Sequence, residues 1–289
     1  MKGSRALAWA LLLPALVPLL AFVVFPAAQS LWLSFHEMAP FSRRTTSVGW
    51  ENYRLLWSSP EYWRCVRVSF LFTAYTAIPE LLLSLAIALA LDSNPWFQDL
   101  FRTVFLLPVS ISSAMAAMLW LFLYNPTAGY LNFTLGRIGL HGPNWLGDPR
   151  WALAAVAIAT VWKELGFSVI FFLAGLAGVP RELHEAATLD GAGWWSRLRH
   201  VTLPLLSPTI FFVAVVSVVN SFQSFGQIHI LTAGGPAGET DTMVYNLYLD
   251  AFVHFRAGYA SAQSVILFLI ILAATAIQFR IAQKRVHYG

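Results

Sequence analysis

Charged residues are scarce in this sequence of 289 residues. Asp, Glu, Lys and Arg together make up 11% of the chain, whereas hydrophobic residues make up 58%. A soluble domain normally carries about 25% charged residues, so this composition excludes an ordinary soluble protein. Runs of about 20 apolar residues instead indicate segments that cross a lipid bilayer. We therefore expect a single membrane domain over residues 1–289, without a soluble module.

Several chemical signatures are also missing. The single cysteine, Cys65, excludes an internal disulfide and a metal cluster built from cysteines. The phosphate-loop pattern G-x-x-x-x-G-K-[ST] is absent, which excludes the usual way of binding ATP. The histidines show no zinc-type spacing, and no G-x-S-x-G nucleophile motif occurs. These absences predict a protein that is not an enzyme and that carries no metal or cofactor of its own.

Six apolar segments are present, and they predict an all-α polytopic membrane protein with six transmembrane helices. Backbone polar groups in hydrocarbon must be paired within the segment, which only a helix achieves for a single span. The predicted spans are 6–35, 66–91, 103–124, 151–176, 209–231 and 259–279. The first resembles a signal peptide, but its apolar core exceeds the usual length of about 7–15 residues. We expect it to be retained as a helix.

The orientation is predicted from positive charge. An even number of spans places both termini on one side, and the basic residues after the last helix, Arg280, Lys284 and Arg285, favour the cytoplasm. This orientation places Cys65 at the outer face, just before the second span. It places the segment 177–208 inside.

Residues 180–208 are the most polar part of the chain, and they predict a short helix–turn–helix at the inner face of the membrane. Pro180 suits the first turn of a helix, and Gly191 marks the interruption. Pro204 and Pro208 are expected to end the second helix before the fifth span. From these residues alone, an amphipathic connection lying on the lipid surface is an equally good interpretation.

Motifs along nearly the whole chain resemble the membrane subunits of bacterial binding-protein-dependent ABC importers. Those of the polar segment resemble the EAA loop of this family and comprise Glu185, Ala186, Ala187, Asp190, Gly191, Leu203 and Pro204. The others lie at Val48–Tyr53, Val161–Lys163, Leu173–Leu176, Gly234–Pro236 and Gly258–Ala262. The set resembles the carbohydrate-uptake branch, which includes the maltose and glycerol-3-phosphate importers. The C-terminal part is most similar to the A-type permease subunit of the glycerol-3-phosphate importer.

The resemblance implies a type I ABC importer permease fold in the bacterial cytoplasmic membrane, with a cytoplasmic coupling-helix loop at 180–208. It implies a second homologous permease, two ATPase subunits that hold ATP and Mg, and an extracytoplasmic solute-binding protein, without nucleic acid. In this family the EAA loop contacts the ATPase. The solute would be small and carbohydrate-like. Two alternatives stay open: a polytopic enzyme acting on lipid, for which we find no cluster of acids, histidines or a nucleophile, and an ATPase-independent secondary carrier.

Polar residues within the predicted spans mark a candidate solute pathway, because such residues face a cavity or another helix. The candidates are Lys163, Glu164, Ser217, Asn220, Ser221, Ser224 and Gln227. Hydrogen bonding between helices is the competing explanation, above all for the hydroxyls. Lys163 lies near the predicted bilayer centre and needs a compensating charge. Because Glu164 points about 100° away around the helix, we expect Glu80 of the second span to be its partner, with an anionic solute as the alternative.

Overall fold

The computed structural model describes residues 2–38, 45–92 and 98–283, and nearly all of these are helical. The first helices are α1 (Lys2–Leu19), α2 (Phe25–Leu33), α3 (Glu51–Ser58), α4 (Pro60–Asp92), α5 (Gln98–Ser110), α6 (Ser113–Leu123) and α7 (Tyr130–Arg137). The later helices are α8 (Ala152–Ala177), α9 (Arg181–Leu189), α10 (Trp194–Arg197), α11 (Leu203–Phe222), α12 (Gly226–Leu231), α13 (Met243–Tyr248) and α14 (Ala257–Ala282). The remaining elements are the π-helical turns Leu20–Val24, Leu198–Thr202 and Leu249–Val253, and the antiparallel strands β1 (His36–Met38) and β2 (Thr45–Ser47).

Five helical segments among the described residues are long and apolar enough to cross a membrane. They are Leu11–Leu33, Pro60–Asp92, Ala152–Ala177, Trp194–Phe222 and Ala257–Ala282. The bent pair Thr103–Ser110 and Ser113–Leu123 supplies a sixth if it counts as one span. The predicted all-α membrane fold is confirmed, and the fourth and sixth spans lie close to their predicted bounds. Lys284 and Arg285, used above to orient the chain, lie outside the described residues.

The third span is not the continuous helix that was predicted over 103–124. Helices α5 and α6 meet at a bend of 108°. Ser112 has an extended backbone (φ −64°, ψ 154°), and its hydroxyl accepts a hydrogen bond from the Met115 amide at 3.2 Å, so it caps the new helix. Pro108 removes one backbone donor shortly before the break. Hydropathy alone does not distinguish such a broken pair from one straight helix.

The boundaries predicted for the fifth span are also wrong. Helix runs without interruption from Trp194 to Phe222, through the π turn Leu198–Thr202. Pro204 and Pro208 therefore lie within helix rather than ending one, and Pro204 lies in the first turn of α11. The missing amide of a proline is tolerated where a widened turn and neighbouring polar groups re-pair the freed carbonyls.

The second span begins earlier than expected, which changes the setting of Cys65. Helix α4 starts at Pro60, so Cys65 lies inside its second turn rather than before the span. Its side chain is fully buried, and Sγ donates to a carboxylate oxygen of Asp241 at 3.2 Å. The prediction that Cys65 precedes the second span is therefore wrong.

The chain divides into two compact units, and the prediction of one membrane domain stays a prediction. The first unit comprises Met1–Trp63 and Asn246–Leu269 and contains the β1–β2 hairpin. Among the described residues of this unit, the most buried charged side chain is that of Asp250, which is 3% exposed. The Asp250 carboxylate accepts hydrogen bonds from Arg256 at 2.7 Å and from Gln263 at 2.6 Å. These bonds compensate the cost of burying its charge.

The second unit comprises Arg64–Tyr245 and Ile270–Gly289 and contains the main apolar core. In this core α8 packs against α5 and α11. Its central side chains are Val161, Leu165, Val169, Phe172, Leu206 and Val213. Apolar association has little driving force in lipid, so close packing of small residues holds such helices together. Gly166 faces the backbone of Phe105, and Gly175 faces Thr209. Both features described next lie in this unit.

Candidate functional site

A polar cavity of about 360 Å³ lies among the transmembrane helices of the second unit. Helices α4, α6 and α8 contribute one part of its wall, and the end of α11 with the start of α12 contributes the rest. The described lining residues are Glu80, Ser113, Thr160, Glu164, Asn220, Ser221, Gln223, Ser224, Phe225, Gly226 and Gln227. Carboxylates, amides and hydroxyls thus dominate a compartment formed by otherwise apolar helices.

The cavity brings together most of the residues predicted for the solute pathway. Glu164, Asn220, Ser221, Ser224 and Gln227 line it. Lys163 and Ser217 are not among its described lining residues. Asn220 and Ser221 of α11 therefore face the same cavity as Glu164 of the fourth span.

Sequence reasoning assigned no pathway role to several residues of the wall. Glu80 recurs with Thr76 and Ser84 at intervals of four residues, and Thr160 precedes Lys163 and Glu164 by three and four, so each lies on a polar helix face that could have marked it as a lining residue. Gln223 continues the polar run of α11 by one residue and was open to the same argument. Ser113 gave no signal, because it sits at the 108° break of a span predicted to be straight.

Glu80 is the most buried carboxylate of the wall, at 5% exposure. It accepts a hydrogen bond at 2.6 Å from the hydroxyl of Ser168 on α8. The hydroxyl of Ser84 donates to the backbone carbonyl of Glu80 at 2.5 Å. The Ser168 contact ties α4 to α8 and holds the carboxylate in a defined position, whereas the Ser84 contact lies within α4.

The ion pair in this region joins two sequence neighbours, which corrects the expected pairing. Lys163 Nζ lies 3.1 Å from Glu164 Oε1, and their side chains are 12% and 27% exposed. Lys163 forms no ion pair with Glu80 in the described part of the chain. The argument from Cβ direction failed because the four-carbon stem of lysine reaches around the helix surface. Glu164 is therefore the partner that the sequence reasoning had dismissed.

One hydroxyl of the predicted pathway, that of Ser221, takes part in a hydrogen bond between helices, and other hydroxyls in this region bond within their own helix. Thr76 on α4 donates to the Ser221 hydroxyl at 2.7 Å, and Ser221 donates to the Ser217 carbonyl at 2.7 Å. Thr160 donates to the carbonyl of Val156 at 2.9 Å. The alternative of helix–helix hydrogen bonding thus describes Ser221 well. The amides Asn220 and Gln223, in contrast, have exposed side chains at the cavity.

The second feature is the polar segment between α8 and α11, which forms two short helices joined by a tight turn. Pro180 caps α9, and Gly191 adopts a φ of +79°, the left-handed conformation that only glycine adopts readily. The Ala192 amide donates to the Ala187 carbonyl at 2.9 Å, which closes the end of α9. An Arg197 hydrogen bond to Thr188 at 2.9 Å ties α10 back to α9.

This helix pair carries an exposed surface that is partly apolar. The predicted coupling residues Glu185, Ala186, Asp190 and Gly191 are exposed, Ala187 is half-buried, and Leu203 and Pro204 are half-buried at the start of α11. Leu189 is 90% exposed, and Trp194 and Trp195 are each 63% exposed. Large side chains in this arrangement, interspersed with charged groups, are typical of a surface that another protein covers.

The chain is similar over nearly its whole length to known membrane transport proteins. A family model described as the binding-protein-dependent transport system inner membrane component matches residues 82–287. The sn-glycerol-3-phosphate transport system permease protein UgpA of Brucella abortus is 40% identical over 287 residues, covering 99% of this chain and 98% of that protein. The proteins of the same name from Agrobacterium fabrum and Pectobacterium atrosepticum are 38% and 37% identical, with 99% of this chain covered and 98% and 97% of theirs.

Solved structures give the same fold. A bacterial ABC transporter involved in the import of the acidic polysaccharide alginate matches with a TM-score of 0.85 and 23% identity, covering 98% of this chain and 96% of that one. The alginate transporter in complex with its alginate pentasaccharide-bound periplasmic protein matches with a TM-score of 0.87 and 23% identity, covering 99% and 97%. The expected type I ABC importer permease fold is confirmed. With the family model matching most of its length and with relatives of 40% identity matching nearly all of it, the chain belongs to the family of inner membrane components of binding-protein-dependent transport systems.

Proposed function

We propose that this chain is a transmembrane subunit of an ATP-driven importer that moves a small carbohydrate-like solute, of the sugar or glycerol phosphate type, into the cell. The observation that carries the proposal is the continuity of the exposed α9–α10 pair with the helix that lines the cavity. Residues Trp194–Phe222 form one helical run from the exposed surface to Asn220. A movement imposed at one end therefore reaches the other.

The α9–α10 pair is the proposed docking element for a cytoplasmic ATPase subunit. The exposed side chains of Leu189 and Trp194 supply apolar area to bury. Glu185 lies on the same exposed helix, where it is free to pair with a basic residue of the ATPase. Gly191 provides the turn in which a side chain would obstruct close approach of the partner. Glu185, Ala186, Ala187, Asp190, Gly191, Leu203 and Pro204 are the proposed coupling residues.

The polar cavity is the proposed part of the translocation path supplied by this chain. A volume of about 360 Å³ is within the range of small-molecule sites, roughly 300–1,000 Å³. The amide and hydroxyl groups of Asn220, Gln223 and Ser224 are partners for solute hydroxyls. The names of the curated relatives place glycerol-3-phosphate in their transport systems, which supports a polyol-type solute here.

The proposed assembly contains a second homologous permease, two ATPase subunits and an extracytoplasmic solute-binding protein. The permease fold supports this composition, and the alginate transporter was solved with its periplasmic protein. ATP and Mg would be held by the ATPase, so this chain needs no cofactor and performs no catalysis. We place both termini and the α9–α10 pair on the cytoplasmic side of the inner membrane.

Two substitutions test the docking role: Gly191→Trp and Glu185→Lys, each in the complete importer. Both should leave membrane insertion intact but reduce ATPase co-purification about tenfold, the loss that about 1.4 kcal/mol of binding free energy produces. Gly139→Trp is the matched control, because Gly139 has nearly the same φ (+78°) and equally open space around it. Glu182→Lys reverses a charge at the start of the same helix and controls for Glu185→Lys.

Retention of the ATPase by both variants at the level of their controls would contradict the docking role. Solute uptake into liposomes that contain this chain alone, without ATP, would favour a secondary carrier instead. Loss of ATPase in Gly139→Trp as well would show that the effect is general misfolding rather than docking.

A further inference from the structure

The cavity wall carries two carboxylates and no basic side chain among its described lining residues. Glu80 is held from α4 and Glu164 from α8. The basic residue closest in sequence, Lys163, bonds Glu164 at 3.1 Å but does not itself line the cavity. Its charge offsets part of that of Glu164. The Glu80 carboxyl group has only hydroxyl partners in the described part of the chain.

One feature of the wall favours anions. Ser113 lies in the first turn of α6, and the N-terminus of a helix carries about half a positive charge. The negative charge at the wall comes from the two carboxyl groups, of which Glu164 is the more exposed.

The remaining lining groups are neutral and available for hydrogen bonds. Asn220 and Gln223 make no side-chain hydrogen bond to any other described residue, and Gln227, 4% exposed, is bonded only through its oxygen, to Ser224 at 3.5 Å. The amide nitrogen of Gln227 makes no hydrogen bond within the described chain and is not fully buried, so it is open to the cavity. Unpaired amides in an otherwise apolar surrounding are partners for the hydroxyls of a solute.

We propose that the part of the path supplied by this chain selects by charge: it accepts neutral or cationic hydroxyl-bearing groups and rejects anionic ones, with Glu80 and Glu164 setting this preference. The inference rests on the proposed transport role of the cavity. A neutral sugar or polyol fits this wall as a whole. In a solute that bears a phosphate, the hydroxyl-bearing end would face this chain and the phosphate would face another surface.

The preference can be measured without knowing the solute, with a single reporter thiol in the cavity. Cys65→Ser removes the native cysteine, and Gln223→Cys places a thiol at an exposed lining position. The complete importer in nanodiscs is treated with methanethiosulfonates that carry either a trimethylammonium or a sulfonate group. The reaction rate of the trimethylammonium reagent is divided by that of the sulfonate reagent, and the result is divided by the same ratio measured with free mercaptoethanol. We expect this normalised ratio to be about ten, in favour of the cationic reagent.

Charge variants assign the effect to the two carboxylates. Glu80→Gln and Glu164→Gln should each lower the normalised ratio several-fold, whereas Lys163→Met should raise it. Ser113→Ala, a neutral change in the same wall, should leave it unchanged. Glu164 is partly exposed, so its variant keeps the test available if the buried Glu80→Gln fails to fold.

Three results would overturn the proposal. The first is a normalised ratio of one or below, and the second is a ratio that neither glutamine variant lowers. The third is a thiol that reacts with neither reagent until the protein is denatured, because the cavity would then be closed to solutes. ATPase co-purification stays normal in all three cases if the importer role is right, so failure of the charge inference is distinguishable from failure of the proposed function.

Discussion

At Gly166 helix α8 approaches the backbone of α5 so closely that no side chain fits between them. A Cβ added there would lie 2.8 Å from the Phe105 carbonyl carbon, closer still to its oxygen, and 3.0 Å from a methyl group of Val109. Carbon atoms in favourable contact are about 3.5–4.0 Å apart. The substitution Gly166→Ala therefore requires the two helices to separate by about 1 Å along their contact.

Overpacking of this kind costs about 1–3 kcal/mol, because the obstructing atoms belong to backbone and cannot rotate away. For a chain of this size that cost lowers the thermal midpoint by about 3–10 °C. The displacement also moves Glu164, two residues away on the cavity wall. Gly166→Ala should therefore reduce solute uptake even at temperatures at which the importer remains assembled.

The assay is a thermal series on the detergent-solubilised importer, read as the fraction that still elutes as a single peak in size-exclusion chromatography. Gly136→Ala is the control, because Gly136 lies in helix α7 with open space around the added methyl group. Alanine should leave that helix unchanged or stabilise it by up to about 1 kcal/mol. Equal midpoints for Gly166→Ala and the wild type would refute the close approach of α5 and α8.

Two further predictions concern the buried polar groups of the second unit. Lys163→Met should lower the yield of folded protein by leaving Glu164 unpaired, at a cost of about 1–3 kcal/mol, and Glu164→Gln in the same chain should partly restore it. Rescue by Glu80→Gln instead would show that the ion pair joins α4 and α8. Cys65 should resist a membrane-impermeant maleimide in the intact importer and react after denaturation in SDS, since its side chain is fully buried. Labelling in the native state, measured by mass shift, would contradict its burial against Asp241.

Sequence reasoning located the helices because the solvent imposes them. Wherever about 20 apolar residues cross lipid, the backbone has to pair with itself, and tertiary contacts have little influence on that outcome. The fourth span shows this: predicted over 151–176, it is observed over Ala152–Ala177. The same reasoning fails at Ser112, where the chain leaves the helix for two residues, because hydropathy carries no information on backbone direction.

Side-chain partners were less predictable than helices. The sequence gives the direction in which Lys163 leaves its helix, but the position of its ammonium depends on a stem with four rotatable bonds. Glu80 accepts a hydrogen bond from Ser168 on a neighbouring helix. The periodicity of one span does not identify which other span packs beside it, so this pairing was not predictable. The convergence of Asn220 and Ser221 was foreseeable, because they are neighbours at the end of α11, whereas Ser224 lies beyond its last residue, Phe222.

The unbroken helix from Trp194 to Phe222 has a mechanical consequence. Its 29 residues extend about 44 Å at 1.5 Å per residue. A rigid rod of that length amplifies rotation: a tilt of about 5° about one end displaces the other by about 4 Å. That displacement is larger than the whole length of a hydrogen bond, roughly 2.7–3.2 Å. A small rocking of the surface at Trp194 is thus enough to move the Asn220 amide into or out of hydrogen-bond distance of a solute in the cavity, without any relay of side chains between them.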